Sequence, residues 1–160
     1  MSWLADDLAD LLRQYTKLKI EVAKAQSRIQ GHEPDSFELY AIGAILHDMY
    51  HGAENICRRV AKELDQKLPA RESWHRLLLD QMTNPLDIRP PVIQLKTAQQ
   101  LDEYRKFRHV VRNIYSFDLD WSRMKPLLDN AESTMDIFVS DLEQFIAFLR
   151  LMSENDETDP

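Results

Sequence analysis

Glycine, cysteine and long apolar runs are all scarce in this sequence, and each shortage excludes a class of protein. Three Gly among 160 residues are too few for an all-β fold, whose many turns consume glycine. We therefore expect a single domain of long helices joined by few loops. A lone cysteine, Cys57, can form neither an internal disulfide nor a cysteine metal cluster, and it is typical of a reducing compartment. No apolar run approaches the roughly 18 residues of a membrane-spanning helix.

The net charge and the amino-terminal residues argue against further classes of protein. The amino-terminal segment carries acids where a signal peptide carries basic residues, so we expect a cytoplasmic protein. The net charge of -7 argues against general coating of nucleic acid, and we expect no DNA partner. One local basic site is still compatible with this charge, because a cleft focuses its own potential. The sequence has no glycine-rich phosphate loop and no Ser-His-Asp arrangement, which argues against an NTPase or a serine hydrolase.

Apolar residues recur at alternating steps of three and four along two long stretches, a pattern that predicts amphipathic helices. The first stretch runs from Leu4 to Ile29 and the last from Trp121 to Met152. Between them we expect helices over about 36–67, 70–82 and 97–115. These elements predict an all-α fold, an up-and-down bundle of four to five helices over residues 1–152.

Four residues are expected to begin or end these helices, and the chain is expected to finish in a tail. Ser2 and Asp120 are candidate N-caps, Thr97 starts a capping-box pattern, and Gly31 suits a left-handed residue after the first helix. Residues 153–160 are polar and rich in acids, so we expect an acidic disordered tail there.

The segment from Tyr104 to Tyr115 departs from the acidic background. It holds four cationic side chains and a histidine within eight residues. On a helix that turns by about 100° per residue, one polar arc contains Arg105, Arg108, His109, Arg112, Asn113 and Tyr115. This arc has two interpretations: a solvated face whose arginines pair with acids on neighbouring helices, or a phosphate-binding surface. Guanidinium forks suit phosphate, and histidine moves protons near neutral pH.

Four stretches of the sequence, at 41–50, 74–82, 89–91 and 107–120, occur in an order that resembles the HepT-like branch of the HEPN superfamily. Several matches in order are more specific than one short motif. The resemblance covers about residues 39–128 and implies a helical bundle that forms a homodimer. It also implies a ribonuclease that needs no metal or other cofactor and cleaves RNA, such as tRNA or mRNA, as the toxin of a toxin–antitoxin pair.

The motif of that family is an arginine, four intervening residues and a histidine, followed two positions later by a tyrosine. On this chain the arginine is Arg108 and the tyrosine is Tyr115, to which a minimal nucleotidyltransferase (MNT) antitoxin would attach AMP. The histidine position is occupied by Asn113, which is a departure from the motif. An amide cannot act as a general base near pH 7, so Asn113 would hydrogen-bond the ribose or the phosphate instead.

The resemblance leaves more than one function open. In the first, the protein is an RNase in which Arg108 stabilises the phosphate, His109 is the base, and Arg105 and Arg112 hold flanking phosphates in RNA. In the second, cleavage is lost and the dimer is a binding partner or AMPylation substrate of the nucleotidyltransferase. A plain helical scaffold is the third.

Other histidines and an arginine have ordinary structural interpretations. His47 and His51 have the spacing of metal ligands on a helix, but no third ligand is evident, so we expect a polar helix face and no metal site. His75 follows Trp74 and is expected to form a packed, hydrogen-bonded pair with it. Arg89 precedes two prolines and belongs to a rigid connector.

Overall fold

The computed structural model describes the backbone of residues 1–113 and 119–156 and the side chains of residues 1–108 and 119–155. These residues form seven helices: α1 (Ser2–Thr16), α2 (Leu18–Arg28), α3 (Ser36–Glu63), α4 (Trp74–Thr83), α5 (Leu95–Asn113), α6 (Trp121–Asp129) and α7 (Ala131–Asp156). The all-α class is confirmed. Among the described helices, none combines the length and the apolar character needed to cross a membrane.

The core forms where α1 packs along α7 and α3 packs against α5. The predicted apolar seam of the last stretch is confirmed, because its members from Met124 to Leu149 are buried. Tyr15 of α1 meets Phe138 of α7 edge-on, with ring centroids 5.4 Å apart, a favourable arrangement for two aromatic rings. This packing fixes the frame against which α3, α4 and α5 are placed.

The first predicted helix is divided in two at Lys17, so the expectation of one unbroken helix is wrong. Hydrogen bonds of the three-residue type replace the α-helical ladder there: the Lys17 N–H donates to the Gln14 carbonyl at 3.2 Å, and the Ile20 N–H donates to the Lys17 carbonyl at 3.1 Å. The Thr16 hydroxyl also donates to the Leu12 carbonyl at 2.7 Å. Apolar periodicity passes through such a break unchanged, because Lys17 keeps helical dihedral angles.

The last predicted helix is also divided, at Asn130. Pro126 lies inside α6, where it has no N–H to continue the ladder. Asn130 then ends α6 through its side-chain amide, which donates to the Pro126 carbonyl at 2.8 Å. With this break and the one at Lys17, the described chain has more helices than the four to five we expected.

Helix α7 continues to Asp156. The boundary that we placed at residue 153 therefore falls inside a helix, and residues 153–156 are helical rather than part of a tail. Residues 157–160 lie outside the described residues.

Two of the four expected helix ends are confirmed and two are wrong. The Asp120 carboxylate accepts the Ser122 N–H at 2.9 Å as the N-cap of α6, and Gly31 has a φ of +87° after α2. Ser2 instead lies inside α1, whose N-cap is Met1 and has no side-chain cap. At the start of α3, Asp35 and Glu38 form a capping box.

The capping box expected at Thr97 is also wrong, because α5 begins two residues earlier at Leu95. The Thr97 hydroxyl donates to the buried Asp141 carboxylate of α7 at 2.5 Å. The same carboxylate accepts the Gln94 N–H at 2.9 Å. A residue distant in sequence therefore accepts two hydrogen bonds at the start of α5 and ties that start to α7.

A buried ion pair holds the connector between α4 and α5. Arg89 Nε lies 2.5 Å from Asp65 Oδ1, and Arg89 Nη2 lies 2.6 Å from Asp65 Oδ2, a bidentate arrangement. Neither side chain is more than 1% exposed. Asp65 turns inward after α3, which ends at Glu63 rather than near Lys67. The connector is therefore tied to the end of α3, and the guanidinium of Arg89 is fully hydrogen-bonded within the protein.

Candidate functional site

Helix α5 is anchored to the core by one side, which determines where its polar arc points. Tyr104 and Phe107 are buried, and the Tyr104 hydroxyl donates to the Leu127 carbonyl at 2.7 Å. Burial raises the pKa of this phenol to about 12, so it stays a neutral donor. With this side fixed, Arg108 turns towards α3 and α4, and its side chain is 14% exposed.

Arg108 lies in a cluster with one residue from each of these two helices. His75 Nδ1 and Glu54 Oε2 are 2.5 Å apart, which is a short hydrogen bond. Arg108 Nη1 lies 3.8 Å from Glu54 Oε1, too far for a hydrogen bond but close enough for charge attraction. Glu54 is 2% exposed and His75 is 21% exposed, so the cluster extends from a buried acid towards the surface.

The contact between Arg108 and His75 is made on the face of the imidazole. Arg108 Nη1 is 3.0 Å from Nδ1 and 3.1 Å from Nε2. Equal distances of this size place the nitrogen over the ring, because an approach in the ring plane would bring it against the carbon between them. The Trp74 ring lies 3.6 Å from the His75 ring, centroid to centroid. Both groups cannot occupy one face, so the imidazole lies between the indole and the guanidinium.

A second arginine, Arg58, contacts Trp74. The guanidinium carbon of Arg58, on α3, lies 5.2 Å from the Trp74 ring centroid, within the range of a cation–π contact. The expected packing of His75 with Trp74 is confirmed. The sequence did not predict that two arginines and a buried acid would join this pair.

The residues beside Glu54 remain neutral over a wide range of pH. Burial, and after it the charge of Glu54, raises the pKa of the Tyr50 phenol well above its usual range. The same two causes raise the pKa of the Cys57 thiol to about 12. Among the described residues, Glu54 is the carboxylate that lies against both His75 and Arg108.

Arg105 is placed differently from Arg108, because it pairs with an acid of its own helix, whereas Arg108 faces an acid of the neighbouring α3. The Nε of Arg105 lies 2.5 Å from Asp102 Oδ1, one turn earlier on α5. Partial burial raises the pKa of Asp102, but the hydrogen bond and charge of Arg105 and the charge of Lys106 outweigh it and hold that pKa below its usual value. Lys106 also pairs with Glu103 at 3.0 Å. Acids of α5 itself therefore neutralise part of the arc.

The remaining candidate residues cannot be placed. His109, Arg112 and Asn113 belong to α5, but their side chains lie outside those that the structure describes. Tyr115 lies outside the described residues altogether. Their roles stay predictions.

Reasoning from sequence missed Glu54, although one signal was present. Glu54 stands in step with the buried positions Tyr50, Cys57 and Ala61 of α3. A carboxylate in an apolar register is almost never buried unless it is paired. This signal could have nominated a buried ion pair, but not its partners.

The other histidine pair stays a polar helix face. The rings of His47 and His51 are parallel within 7°, with centroids 5.9 Å apart. Within the described part of the chain, no three His, Cys, Asp or Glu side chains are grouped as a metal site requires.

A groove of about 910 Å³ lies between α5, α6 and α7. Its lining includes the apolar Phe107 and Leu127 and side chains of both charges, such as Lys106 and Asp120. Arg108 is not part of this lining. The described groove and the Arg108 cluster are therefore separate features.

These features define an all-helical protein in which an arginine near the end of α5 contacts a buried Glu–His pair. Residues 41–149 match the family model of HepT-like proteins. The match spans more than half of the chain and includes Glu54, His75 and Arg108. The chain therefore belongs to the HepT-like family of the HEPN superfamily. No curated protein and no solved structure matches it.

Proposed function

We propose that this protein is a metal-independent ribonuclease, the toxin of a toxin–antitoxin pair, and that it cuts RNA at a site formed across a homodimer. The observation that carries the proposal is the contact between Arg108, the arginine of the family motif, and an imidazole 3.0 Å away. Cleavage of RNA needs a proton acceptor and a cation that stabilises the transition state. Arginine and histidine supply both.

The chemistry starts at the ribose. A histidine takes the proton of the 2′-hydroxyl, and the 2′-oxygen forms a bond to phosphorus. Arg108 stabilises the negative charge on the non-bridging oxygens of the phosphorane. The bond between phosphorus and the 5′-oxygen breaks, the 5′-oxygen takes a proton from water, and the products are a 2′,3′-cyclic phosphate and a 5′-hydroxyl. The sequence nominates His109 as the acceptor, and the structure adds His75.

The state of Arg108 in the free protein is compatible with this role. Its contact with Glu54 is 3.8 Å long, and among the described residues its buried Nε has no hydrogen-bond acceptor. A guanidinium with an unused donor gains a charge-assisted hydrogen bond when its side chain turns out to meet a phosphate oxygen. Arg105 and Arg112 would hold the neighbouring phosphates, and Arg105 would exchange Asp102 for one of them.

The homodimer completes the site in this proposal. A two-fold axis beside α5 brings two copies of Arg108 to a cleft between the protomers. Arg108 of one protomer then holds a flanking phosphate while Arg108 of the other acts on the scissile phosphate. Asn113 donates a hydrogen bond to the ribose or the phosphate. The substrates are cytoplasmic RNAs such as tRNA or mRNA.

A second candidate function is favoured by Asn113, which stands where the motif has its histidine. In this alternative the dimer no longer cleaves RNA, and it binds an MNT-type nucleotidyltransferase that attaches AMP to Tyr115. In the toxin the same modification would silence the site, because the added AMP is a bulky anion that competes with RNA phosphate.

The test is incubation of the purified protein with tRNA and mRNA in EDTA. The wild type is expected to cut, Arg108→Ala to be inactive, and Arg108→Lys to be strongly impaired because a point charge replaces a planar fork. Arg13→Ala is the matched control, since Arg13 is an exposed arginine that pairs with an acid on its own helix. Equal cleavage by Arg108→Ala would refute the proposal. No cleavage by the wild type, with AMP transfer to Tyr115, would support the second candidate.

A further inference from the structure

We infer that His75, held by Glu54, is the group that takes the proton of the ribose 2′-hydroxyl, in place of the motif histidine that Asn113 replaces. The inference rests on the proposed ribonuclease function and names its catalytic base. His75 lies on α4, outside the motif, and reaches Arg108 only through the fold.

The Glu54 contact determines which nitrogen of His75 is free. An ionised carboxylate only accepts hydrogen bonds, so the 2.5 Å contact requires the proton to be on Nδ1. The lone pair is then on Nε2, at the other edge of the ring. A carboxylate that fixes the tautomer and stabilises the imidazolium formed during the reaction is the arrangement of a histidine base.

Arg108 places the substrate next to that nitrogen. Its Nη1 lies 3.1 Å from Nε2. In RNA, the 2′-oxygen is separated from the phosphorus by only two sugar carbons and one oxygen. A phosphate gripped by Arg108 therefore brings the 2′-hydroxyl of the nucleotide on its 5′ side close to the free edge of the imidazole, which is the proximity that proton transfer needs.

Burial and charge are distributed as this role requires. Glu54 is 2% exposed, whereas His75 is 21% exposed, so the carboxylate is shielded from water while the imidazole reaches the surface. Arg108 disfavours a second positive charge on the ring, but a bound phosphate offsets the charge of Arg108. A bound phosphate therefore lessens the repulsion between Arg108 and the imidazolium that forms during the reaction.

The test compares His75→Gln, His109→Gln and His32→Gln in EDTA. Glutamine keeps a donor for Glu54 but accepts no proton near neutral pH. His32 is a matched control, because it is an exposed histidine that pairs with Glu38 at 3.1 Å. Rates are measured on one RNA across about pH 5 to 9, the range in which histidine titrates. Binding is measured separately by fluorescence anisotropy with the same RNA methylated at its 2′-oxygens, which cannot react.

His75→Gln is expected to lose at least about a hundredfold in rate, the usual contribution of a general base. It should also lose the acidic limb of the pH–rate profile while keeping its affinity for the methylated RNA. His109→Gln and His32→Gln should keep that limb. Because His75→Gln could also be impaired in folding, His75→Ala provides a second measure: free imidazole in solution should restore its cleavage in proportion to concentration.

Three results would overturn the inference. His75→Gln could keep the acidic limb, it could lose RNA affinity together with activity, or imidazole could fail to restore His75→Ala. If any of these occurs while wild-type cleavage still depends on Arg108, the base is another residue and the ribonuclease proposal stands. If the wild type does not cut RNA at all, both proposals fall together.

Discussion

The Nη1 atom of Arg108 and the imidazole of His75 meet face-on, 3.0 Å and 3.1 Å from the two ring nitrogens. The guanidinium therefore forms no in-plane hydrogen bond with the lone pair of either ring nitrogen. Glu54 holds the edge of the ring at Nδ1, and among the described residues none forms an in-plane hydrogen bond at the Nε2 edge. This arrangement joins three helices and brings Arg108, His75 and Glu54 to one place.

The ion pair between Arg89 and Asp65 is expected to be important for stability. Asp65→Ala should lower the free energy of unfolding by about 3–5 kcal/mol, because it leaves a buried guanidinium without a counter-charge. Asp10→Ala, which breaks the exposed pair with Arg13, should cost less than about 1 kcal/mol. Urea denaturation of both variants tests this. Similar losses in both would show that the buried pair has no special role.

The second prediction concerns the close approach of Gly52 to Tyr15. A Cβ at Gly52 would lie 2.7 Å from Tyr15 Cδ2, so Gly52→Ala forces α1 and α3 apart and should cost about 1–3 kcal/mol. At Gly43, on the same helix, the nearest atom to a new Cβ is 3.4 Å away. Gly43→Ala is expected to be neutral or to gain up to about 1 kcal/mol from helix propensity. Thermal unfolding followed by circular dichroism compares them, and an equal loss in both variants would contradict the prediction.

The third prediction is a dependence of stability on alkaline pH that comes from Cys57. Its pKa is raised to about 12 in the folded protein, above the value of about 8.5 for an unfolded thiol. Between these values the native state binds more protons than the unfolded state, so the free energy of unfolding decreases as pH rises. This group contributes about 1.4 kcal/mol per pH unit.

Urea denaturation of the wild type and Cys57→Ala at several pH values above about 9, where an unfolded thiol is ionised, checks this dependence. The variant keeps the buried tyrosines but lacks the thiol, so its stability should fall less steeply. Identical slopes would contradict the prediction. In the native protein a thiol reagent should not modify Cys57 at neutral pH, and it should do so once urea unfolds the chain.

The fourth prediction concerns the start of α5, which Asp141 holds from α7. Asp141→Ala leaves the Gln94 N–H and the Thr97 hydroxyl without their acceptor, at an expected cost of about 1–3 kcal/mol. Asp136→Ala is the control, because Asp136 is exposed on the same helix and pairs with Lys19. Hydrogen exchange at residues 94–98 should accelerate only in the Asp141 variant. Unchanged exchange there would show that α5 does not depend on this carboxylate.

Local patterns in the sequence predicted the parts of the fold that depend on local physics. The steps of three and four that include Met135, Phe138 and Leu142 identified a buried helix face, because the helical repeat alone sets that face. The same pattern did not predict the breaks at Lys17 and Asn130. A break changes a few hydrogen bonds while the apolar seam continues.

The candidate site was predicted only in part, for a different reason. Arg108 and the other polar residues on its side of α5 could be identified from the helical repeat and the family motif. Its contacts with His75 and Glu54 join positions 33 and 54 residues apart in sequence, and no local pattern fixes such a meeting. The cap of α5 by Asp141 is of the same kind, because the packing of α7 supplies the carboxylate.

The most direct measurement of the central claim uses an RNA that carries a single 2′-deoxynucleotide at the bond which the wild type cleaves. The expected result is that this bond becomes resistant in EDTA while neighbouring bonds are unaffected, and that the all-ribose RNA yields a 2′,3′-cyclic phosphate and a 5′-hydroxyl. Cleavage at the deoxy-substituted bond, or products with a 3′-hydroxyl and a 5′-phosphate, would contradict attack by the ribose and with it the roles given to Arg108 and His75.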